Sequence, residues 1–360
     1  MDERVSGRVA APVLLLALLL IFVALALYRI VAKPSETPAP IPGDVSAAVK
    51  PTPVIEPTAA EPLVPNDEAP VKRLEKPDGV AAVPDEIRKQ IETLLDSMTM
   101  PPQHLQTNKK LAAVKRARDE LEALLKTLPE EYAPWINALM IEEPDFVKRR
   151  LLIVGLGEIG GDYAAMALRD HYTNRLQLAD GSNEVKYTVE SLGKVNNPLS
   201  YDLLVSMVGK APPEHRFRFV TEIGNHVEGA RAIPLLTDVM ANDESMDARN
   251  RAAQALKKVG DAASARDIES QLEVETVAHV RQTMIGALGG IGDLGSLSVL
   301  ERIATTDTDA VSRLSAIDSI GKIGGTAAKK ILERIAESEQ HDRVRRDARK
   351  EVVKLEQKGF

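Results

Sequence analysis

The chain has 360 residues, enough for about two ordinary domains, and its formal net charge at pH 7 is -7. This negative charge argues against a broad nucleic-acid-binding surface, and the absence of cysteine excludes disulfides, thiolate metal ligands and a cysteine nucleophile. Aromatic residues make up only 3% of the chain, so the composition favours a helical fold over a large β-sandwich or barrel.

The N-terminal segment is predicted to be a membrane anchor. After a short tail, residues 1–8, residues 9–32 supply the roughly 20 apolar residues that a helix needs to cross a bilayer. A cleaved signal peptide is the alternative, but the apolar stretch is longer than the usual core of about 7–15 residues. Because either interpretation exports the C-terminal part, we expect a single-pass protein of the bacterial inner membrane with its C-terminal domain in the periplasm.

Residues 33–84 are predicted to be a Pro-rich disordered linker. The segment lacks aromatic residues and helical periodicity, so it cannot bury enough apolar surface to offset its ordering entropy. Residues 85–143 are predicted to be an N-terminal helical cap, with apolar residues at helical spacing. Asp85 and Asn108 are expected to be the N-caps of its first two helices.

The sequence LLIVGLGEIGGD, from Leu151 to Asp162, has the spacing of a dinucleotide-binding turn. Gly155, Gly157 and Gly160 form a Gly-x-Gly-x-x-Gly motif after an apolar run. Such a turn requires a preceding strand and a parallel sheet, and the chain shows no alternation of strands with helices. We therefore expect no nucleotide site.

A repeat explains the same glycines better. An arginine recurs every 32 residues from Arg249 onward and holds the same position in two earlier units; these residues are Arg149, Arg216, Arg249, Arg281, Arg313 and Arg345. Val185 interrupts the series. Downstream of the arginine come a glycine and then a second glycine or polar residue that is expected to end the helix in a left-handed conformation. A fixed period of this length is typical of a helical solenoid, which we predict for residues 144–360.

The pattern VRxxAxxALGxIGD resembles the HEAT-like repeat of the phycobilisome-lyase type over residues 145–358. The resemblance implies an all-α, right-handed solenoid of HEAT-like or armadillo-like helical pairs. The family includes bilin lyases, an iron-dependent deoxyhypusine hydroxylase and many scaffolds. The hydroxylase needs paired His-Glu steps for iron, and none of the six histidines here precedes a glutamate. No short motif tests a lyase-type role, in which the solenoid holds a substrate protein during modification, so that alternative stays open.

The repeated arginines are predicted to form an intramolecular ladder that sets the stacking of the repeats. In the resembling repeats such arginines pair with acidic residues of the neighbouring turn, and the acids just upstream here are Asp145, Glu214, Asp247, Asp309 and Asp342. A second series shares another repeat position and is predicted to be a solvated face: Lys194, Lys258, Lys322 and Lys354.

A candidate partner-binding surface lies beside the ladder. Aromatic residues are concentrated between Tyr132 and Phe219, and aromatic residues together with arginine are typical of interface hot spots. The candidate residues are Arg150, Tyr187, Phe217, Arg218 and Arg251. The sequence thus predicts a membrane-tethered HEAT-repeat scaffold that binds a protein partner through a concave helical surface, contacts the lipid bilayer through residues 9–32, and has no catalytic residues, metal or other cofactor, and no nucleic-acid or nucleotide ligand.

Overall fold

The computed structural model describes residues 82–99, 107–175 and 182–360 of the chain. Within these ranges every regular element is helical and there is no strand. The N-terminal tail, the expected anchor at 9–32 and the linker as far as residue 81 lie outside the described residues. No helix in the described ranges is long and apolar enough to cross a membrane.

Sixteen α-helices are described. The first eight are α1 Asp85–Ser97, α2 Asn108–Leu125, α3 Ala133–Glu142, α4 Phe146–Ile159, α5 Gly161–Arg175, α6 Ser182–Val195, α7 Pro198–Val208 and α8 Pro213–Asn225. The remainder are α9 Ile233–Asn242, α10 Met246–Val259, α11 Ala262–Leu272, α12 Ala278–Ile291, α13 Leu297–Thr306, α14 Ala310–Ile323, α15 Gly325–Ser338 and α16 Asp342–Gln357. Short 3-10 turns precede α3, α9 and α13.

The two expected N-caps of the first helices are each displaced by one residue. Asp85 is already the first residue of α1, and the residue before it, Pro84, provides no side-chain cap. Asn108 is the first residue of α2, whose cap is Thr107, because the Thr107 hydroxyl accepts a hydrogen bond from the Lys110 amide at 3.3 Å. Both helices thus begin one residue earlier than expected, and only α2 has a side-chain cap.

The helices from α4 onward form two rows. The first row consists of α4, α6, α8, α10, α12, α14 and α16, and the second row of α5, α7, α9, α11, α13 and α15. Neighbouring first-row helices contact each other more extensively than neighbouring second-row helices do. The apolar residue seven positions after the repeated arginine is fully buried in six units, as Leu156, Leu192, Ile223, Leu256, Leu288 and Ile320. These side chains join successive repeats into one continuous core.

Glycine permits the close approach within the first row. A Cβ placed on Gly289 would lie 2.7 Å from the Cα of Ser319 on the next first-row helix. At Gly157 it would lie 2.8 Å from the Ser191 carbonyl oxygen. Residues 151–159 belong to α4, and since real Cβ atoms do not approach backbone this closely, Gly157 serves packing.

The second glycine of the repeat ends the helix in most units. Gly160 and Gly292 have φ angles of 75° and 78°, a region that favours glycine. Gly260 differs from the expectation, since it ends α10 at φ -67° and ψ 160°, which is extended backbone. The next helix there is instead begun by Asp261, whose side chain accepts hydrogen bonds from the Ala263 and Ser264 amides.

The packing of α6 on α8 departs from the rest of the row. Contacts between these two helices are the least extensive between first-row neighbours. Glu222 of α8 lies where five other units carry a small residue, and its side chain lies over Gly193 of α6. The small residues are Gly155, Ser191, Ala255, Ala287 and Ser319. A long side chain between the two helices explains their looser packing.

Candidate partner-binding surface

The repeated arginines form ion pairs between successive repeats. Arg249 of α10 donates from Nε to Glu275 Oε2 at 2.8 Å and from Nη2 to Glu275 Oε1 at 3.2 Å. Glu275 lies in the turn before α12, and its side chain is only 3% exposed. The same Arg249 also donates from Nη1 to the carbonyl oxygen of Asp243, in its own preceding turn, at 2.9 Å. One arginine therefore ties two inter-repeat turns together.

This arrangement recurs along the array. The arginine–carboxylate pairs are Arg149–Glu184, Arg216–Asp243, Arg249–Glu275, Arg281–Asp307 and Arg313–Glu339, with shortest N–O distances between 2.8 and 3.3 Å. Four of the five acids lie in inter-repeat turns and recur every 32 residues: Asp243, Glu275, Asp307 and Glu339. Each of these four carboxylates also accepts a hydrogen bond from the backbone amide two residues later. The carboxylate therefore shapes its own turn while it binds the previous repeat.

Most acids just upstream of the arginines have another role. Asp145 and Asp309 accept hydrogen bonds from backbone amides at the starts of α4 and α14. Asp342 pairs with Arg345 inside α16. Glu214 and Asp247 make no ion pair within the described ranges. These positions belong to the helix N-terminus, whereas the arginine side chain reaches across to the turn of the next repeat.

The series of arginine–carboxylate pairs is interrupted at α6, because the arginine of this helix and the turn acid that would pair with it are both replaced. Val185 replaces the arginine and is 1% exposed. Lys210, six residues before Arg216, occupies the position that an acid holds in the later turns. Arg149 pairs instead with Glu184 in the first turn of α6, where His171 Nε2 also lies 2.7 Å from Glu184 Oε1. Burial raises the pKa of Glu184, but the hydrogen bonds from Arg149 and His171 outweigh it and hold the pKa below its usual range.

The exposed face of α4 and α6 brings two cations and two aromatic rings together. The Arg150 guanidinium lies 5.1 Å from the centre of the Tyr187 ring and donates from Nη1 to the Tyr187 hydroxyl at 3.3 Å. Lys186 Nζ lies 5.5 Å from the same ring centre, and the Phe146 ring lies 6.4 Å from it. The Tyr187 ring is thus the centre of this cluster.

The neighbouring helices α8 and α10 carry arginines at the repeat position of Tyr187. The Arg218 guanidinium lies 4.7 Å from the centre of the Phe217 ring, and Arg251 donates to the Gln254 side chain at 2.8 Å. We call these residues the cation–aromatic patch: Phe146, Arg150, Lys186, Tyr187, Phe217, Arg218 and Arg251. The structure therefore places the five candidate residues from the sequence on four consecutive first-row helices.

The repeated lysines have partners within the array. Lys194 pairs with Glu158, Lys322 with Asp318 and Lys354 with Glu351, and Lys258 donates to the Asn225 side chain at 2.6 Å. Their ammonium groups are largely exposed, as expected of a solvated face.

A serine and a histidine lie close together in the core without forming a catalytic pair. Ser200 Oγ lies 3.1 Å from His226 Nε2. However, His226 Nδ1 accepts a hydrogen bond from the Glu228 amide, so the ring proton is on Nε2. Because the imidazole donates to Ser200, it cannot accept the proton of that hydroxyl. The pair fastens α7 to the turn after α8.

A polar cleft of about 470 Å³ lies between the turns that precede α12 and α14. Its charged lining residues Arg281, Asp307 and Glu275 already belong to ladder pairs, and Arg302 pairs with Glu273. No cluster of three or more His, Asp or Glu side chains in the described ranges could hold a metal ion. The arginines of the cation–aromatic patch, in contrast, form no ion pair within the described ranges.

The sequence did not reveal the unusual electrostatic environment of Glu222. Burial and, to a smaller extent, the nearby Glu190 carboxylate raise the pKa of Glu222 to about 7. The signal was a charged residue at a repeat position that is small in most units.

Residues 268–352 match the family model of HEAT repeats. No curated protein matches the chain. Among solved structures, the chain is similar to human deoxyhypusine hydroxylase in complex with glycerol, with 17% identity, coverage of 76% of this chain and 98% of that chain, and a TM-score of 0.32. It is also similar to the complex of CpcE and CpcF of phycocyanin lyase from Nostoc sp., with 18% identity, coverage of 74% and 94%, and a TM-score of 0.32. We conclude that the chain carries HEAT repeats over residues 268–352.

Proposed function

We propose that the protein is a HEAT-repeat scaffold that binds a protein partner through the exposed face of its first-row helices. The observation that carries this proposal is the cation–aromatic patch, which runs across four consecutive first-row helices. Half-buried aromatic and arginine side chains are the groups that dominate protein interfaces. The closer packing of the first row is also what a concave binding face requires, since helices on the inner side of a curved array approach each other more closely.

The proposal includes attachment to a membrane. Residues 9–32 are apolar enough to span a bilayer, and the Pro-rich segment 33–84 would give the helical array reach from the surface. Tethering raises the local concentration of a scaffold near membrane partners. A reporter enzyme fused after Phe360 tests the orientation, because a periplasmic C-terminus predicts activity only outside the cytoplasm. Activity only in the cytoplasm would contradict this orientation.

Site-specific photocrosslinking in the source cell tests the scaffold function. A photoreactive phenylalanine at Phe217 is expected to give one discrete crosslinked protein. The control is the same group at Leu294, which is 65% exposed and precedes the second-row helix α13. Equal crosslinking at both positions, or none at Phe217, would contradict a first-row binding face.

The purified full-length chain also separates a scaffold from the lyase-type alternative. A scaffold is expected to carry no stoichiometric chromophore, metal or nucleotide. A bound bilin detected by absorbance, or a metal detected by mass spectrometry, would overturn the scaffold proposal and favour a factor that takes part in modification.

A further inference from the structure

The patch arginines differ from the ladder arginines in their partners. Five ladder arginines pair with a carboxylate of another repeat. Within the described ranges, Arg150, Arg218 and Arg251 pair with none. Arg150 contacts a tyrosine, Arg218 a phenylalanine ring and Arg251 a glutamine amide. Three half-buried guanidinium groups on one face therefore lack the carboxylate that this type of side chain binds best.

Of the three guanidinium groups, that of Arg218 has the fewest polar contacts. It makes no hydrogen bond to a described residue, and its Nε atom is buried. Burial lowers the pKa of its guanidinium, and the charge of Glu190 offsets this only in part. A half-buried cation without a hydrogen-bonded anion is unfavourable, and a bound carboxylate would remove that cost.

The surroundings favour separate carboxylates over a continuous polyanion. Exposed acids lie on the same helices as the patch, namely Glu190 on α6, Glu214 on α8 and Asp247 on α10. These acids would repel a nucleic acid or an anionic bilayer, whose phosphates are closely spaced. The Tyr187 and Phe217 rings also offer apolar contact area beside the cations, which suits a peptide with mixed side chains.

The spacing of the first-row helices determines how far apart carboxylates must lie along a bound extended peptide to reach the patch arginines. Neighbouring packed helices are about 8–10 Å apart, and an extended peptide rises about 3.3 Å per residue. Arg218 and Arg251 are on adjacent first-row helices, so carboxylates about three residues apart would reach both. Arg150 is two helices from Arg218, which corresponds to about five or six residues. The Tyr187 ring lies on the helix between them.

We infer that the cation–aromatic patch binds an extended acidic peptide segment of the partner, with one carboxylate for each of Arg150, Arg218 and Arg251 and an aromatic residue against Tyr187. This inference rests on the proposed function, since it names the chemistry of the segment that the scaffold would bind. A segment of about nine residues crosses the four helices α4, α6, α8 and α10.

A synthetic peptide tests the inference. The probe is a fluorescein-labelled nonapeptide with Glu at its first, sixth and ninth positions, Trp at its fourth and Ser elsewhere. Fluorescence anisotropy with the full-length chain is expected to show saturable binding that weakens with salt. The same peptide with Gln for Glu is expected to bind at least about tenfold more weakly, because charge-assisted hydrogen bonds are lost.

Variants of the protein identify the binding groups. Arg218→Gln is expected to weaken peptide binding about tenfold. The matched control is Arg346→Gln, because Arg346 holds the repeat position of Arg150 in the last first-row helix and is exposed without an aromatic neighbour in the described ranges. Arg218→Glu should bind a peptide with Lys at the sixth position better than it binds the original peptide. This exchange of charges separates direct contact from loss of folding.

Three outcomes would overturn the inference: no saturable binding, equal weakening by Arg346→Gln, or stronger patch-dependent binding of a DNA duplex or of phosphatidylglycerol vesicles. If Phe217 crosslinks a partner but the peptide does not bind, the inference fails and the scaffold function stands. If neither occurs, both fail.

Discussion

Arg249 and Glu275 are 26 residues apart and belong to different repeats, yet they form a two-point ion pair at 2.8 and 3.2 Å. The Glu275 side chain is almost fully buried, so its charge depends on this arginine. Burial raises the pKa of Glu275, but the hydrogen bonds from Arg249 and the Val277 amide outweigh it and keep the group ionised. This ion pair represents the contact, called a joint below, that links one repeat of the array to the next.

Replacement of Arg249 should therefore be costly. Arg249→Met leaves a buried, unpaired carboxylate and is expected to lower the free energy of unfolding by about 3 kcal/mol. Urea denaturation followed by circular dichroism measures it. The control is Arg302→Met, which breaks a pair with Glu273 whose side chains are more than half exposed, and it should cost less than about 0.5 kcal/mol. Equal costs would show that the ladder adds no more than a surface pair.

Two glycines of α12 should respond in opposite directions to alanine. Gly289→Ala places a methyl group 2.7 Å from the Ser319 Cα and is expected to destabilise the protein by about 2 kcal/mol. Gly286 has open space around its Cα, so Gly286→Ala should stabilise the helix by about 0.5–1 kcal/mol. Thermal unfolding of the two variants distinguishes packing from helix propensity. A stabilising Gly289→Ala would contradict the close approach of α12 and α14.

Two substitutions should restore the ion pair that the ladder lacks between α6 and the turn before α8. Val185→Arg alone would bury a cation without the turn carboxylate that the other ladder arginines bind, so a loss of about 3 kcal/mol or more is expected. The double variant Val185→Arg with Lys210→Glu supplies the missing carboxylate and should recover about 2 kcal/mol of that loss. A double-mutant cycle in urea gives the coupling energy. Additive effects would mean that the turn before α8 cannot reach the arginine position.

Glu222 should make stability depend on pH. Its pKa in the folded protein is about 7, above the ordinary value of 4.5. Between these values the folded state retains a proton that the unfolded state has released, so stability falls as pH rises from about 4.5 to 7. Allowing for solvent screening, the loss is about 1–2 kcal/mol. Glu222→Gln is expected to remove this dependence, measured by urea denaturation at pH 5 and pH 8.

The matched control for Glu222 is at the same repeat position. Glu351 lies against Gly321 as Glu222 lies against Gly193, but its carboxylate pairs with Lys354 at 2.5 Å. Glu351→Gln should therefore destabilise the protein slightly at pH 8, the opposite of Glu222→Gln. A gain of stability in both variants would mean that the effect does not depend on the particular charges around Glu222, which include Glu190 and Lys258.

Much of the array could be predicted from periodicity. The recurrence of the arginine and glycine positions in successive units is enough to show that residues 151–159 are helical, because a nucleotide-binding turn does not recur in this way. The position of the glycine also predicts close helix packing, which the approach of Gly157 to Ser191 confirms.

The partners of the ladder could not be predicted by proximity in sequence. An arginine side chain on a helix reaches the turn of the next repeat, some 26 residues away, more readily than the helix start beside it. The signal was nevertheless present, since the acids at 243, 275, 307 and 339 recur with the same period as the arginines. Glu222 required the structure, because its pKa depends on burial over Gly193 and on the charge of Glu190.

The ladder gives the array a direction, because each turn acid uses different atoms for the arginine before it and the arginine after it. Each turn acid binds the arginine before it through its carboxylate and, at Asp243, Glu275 and Glu339, the arginine after it through its carbonyl oxygen. The turns at Asp243, Glu275 and Glu339 thus each bind two arginines, and removal of residues 276–307 would place Arg313 six residues after Glu275, the spacing that Arg281 has now. The array can therefore change length in whole units without leaving a buried charge unpaired, and a protein of this design can lengthen or shorten its binding face while each remaining joint stays chemically complete.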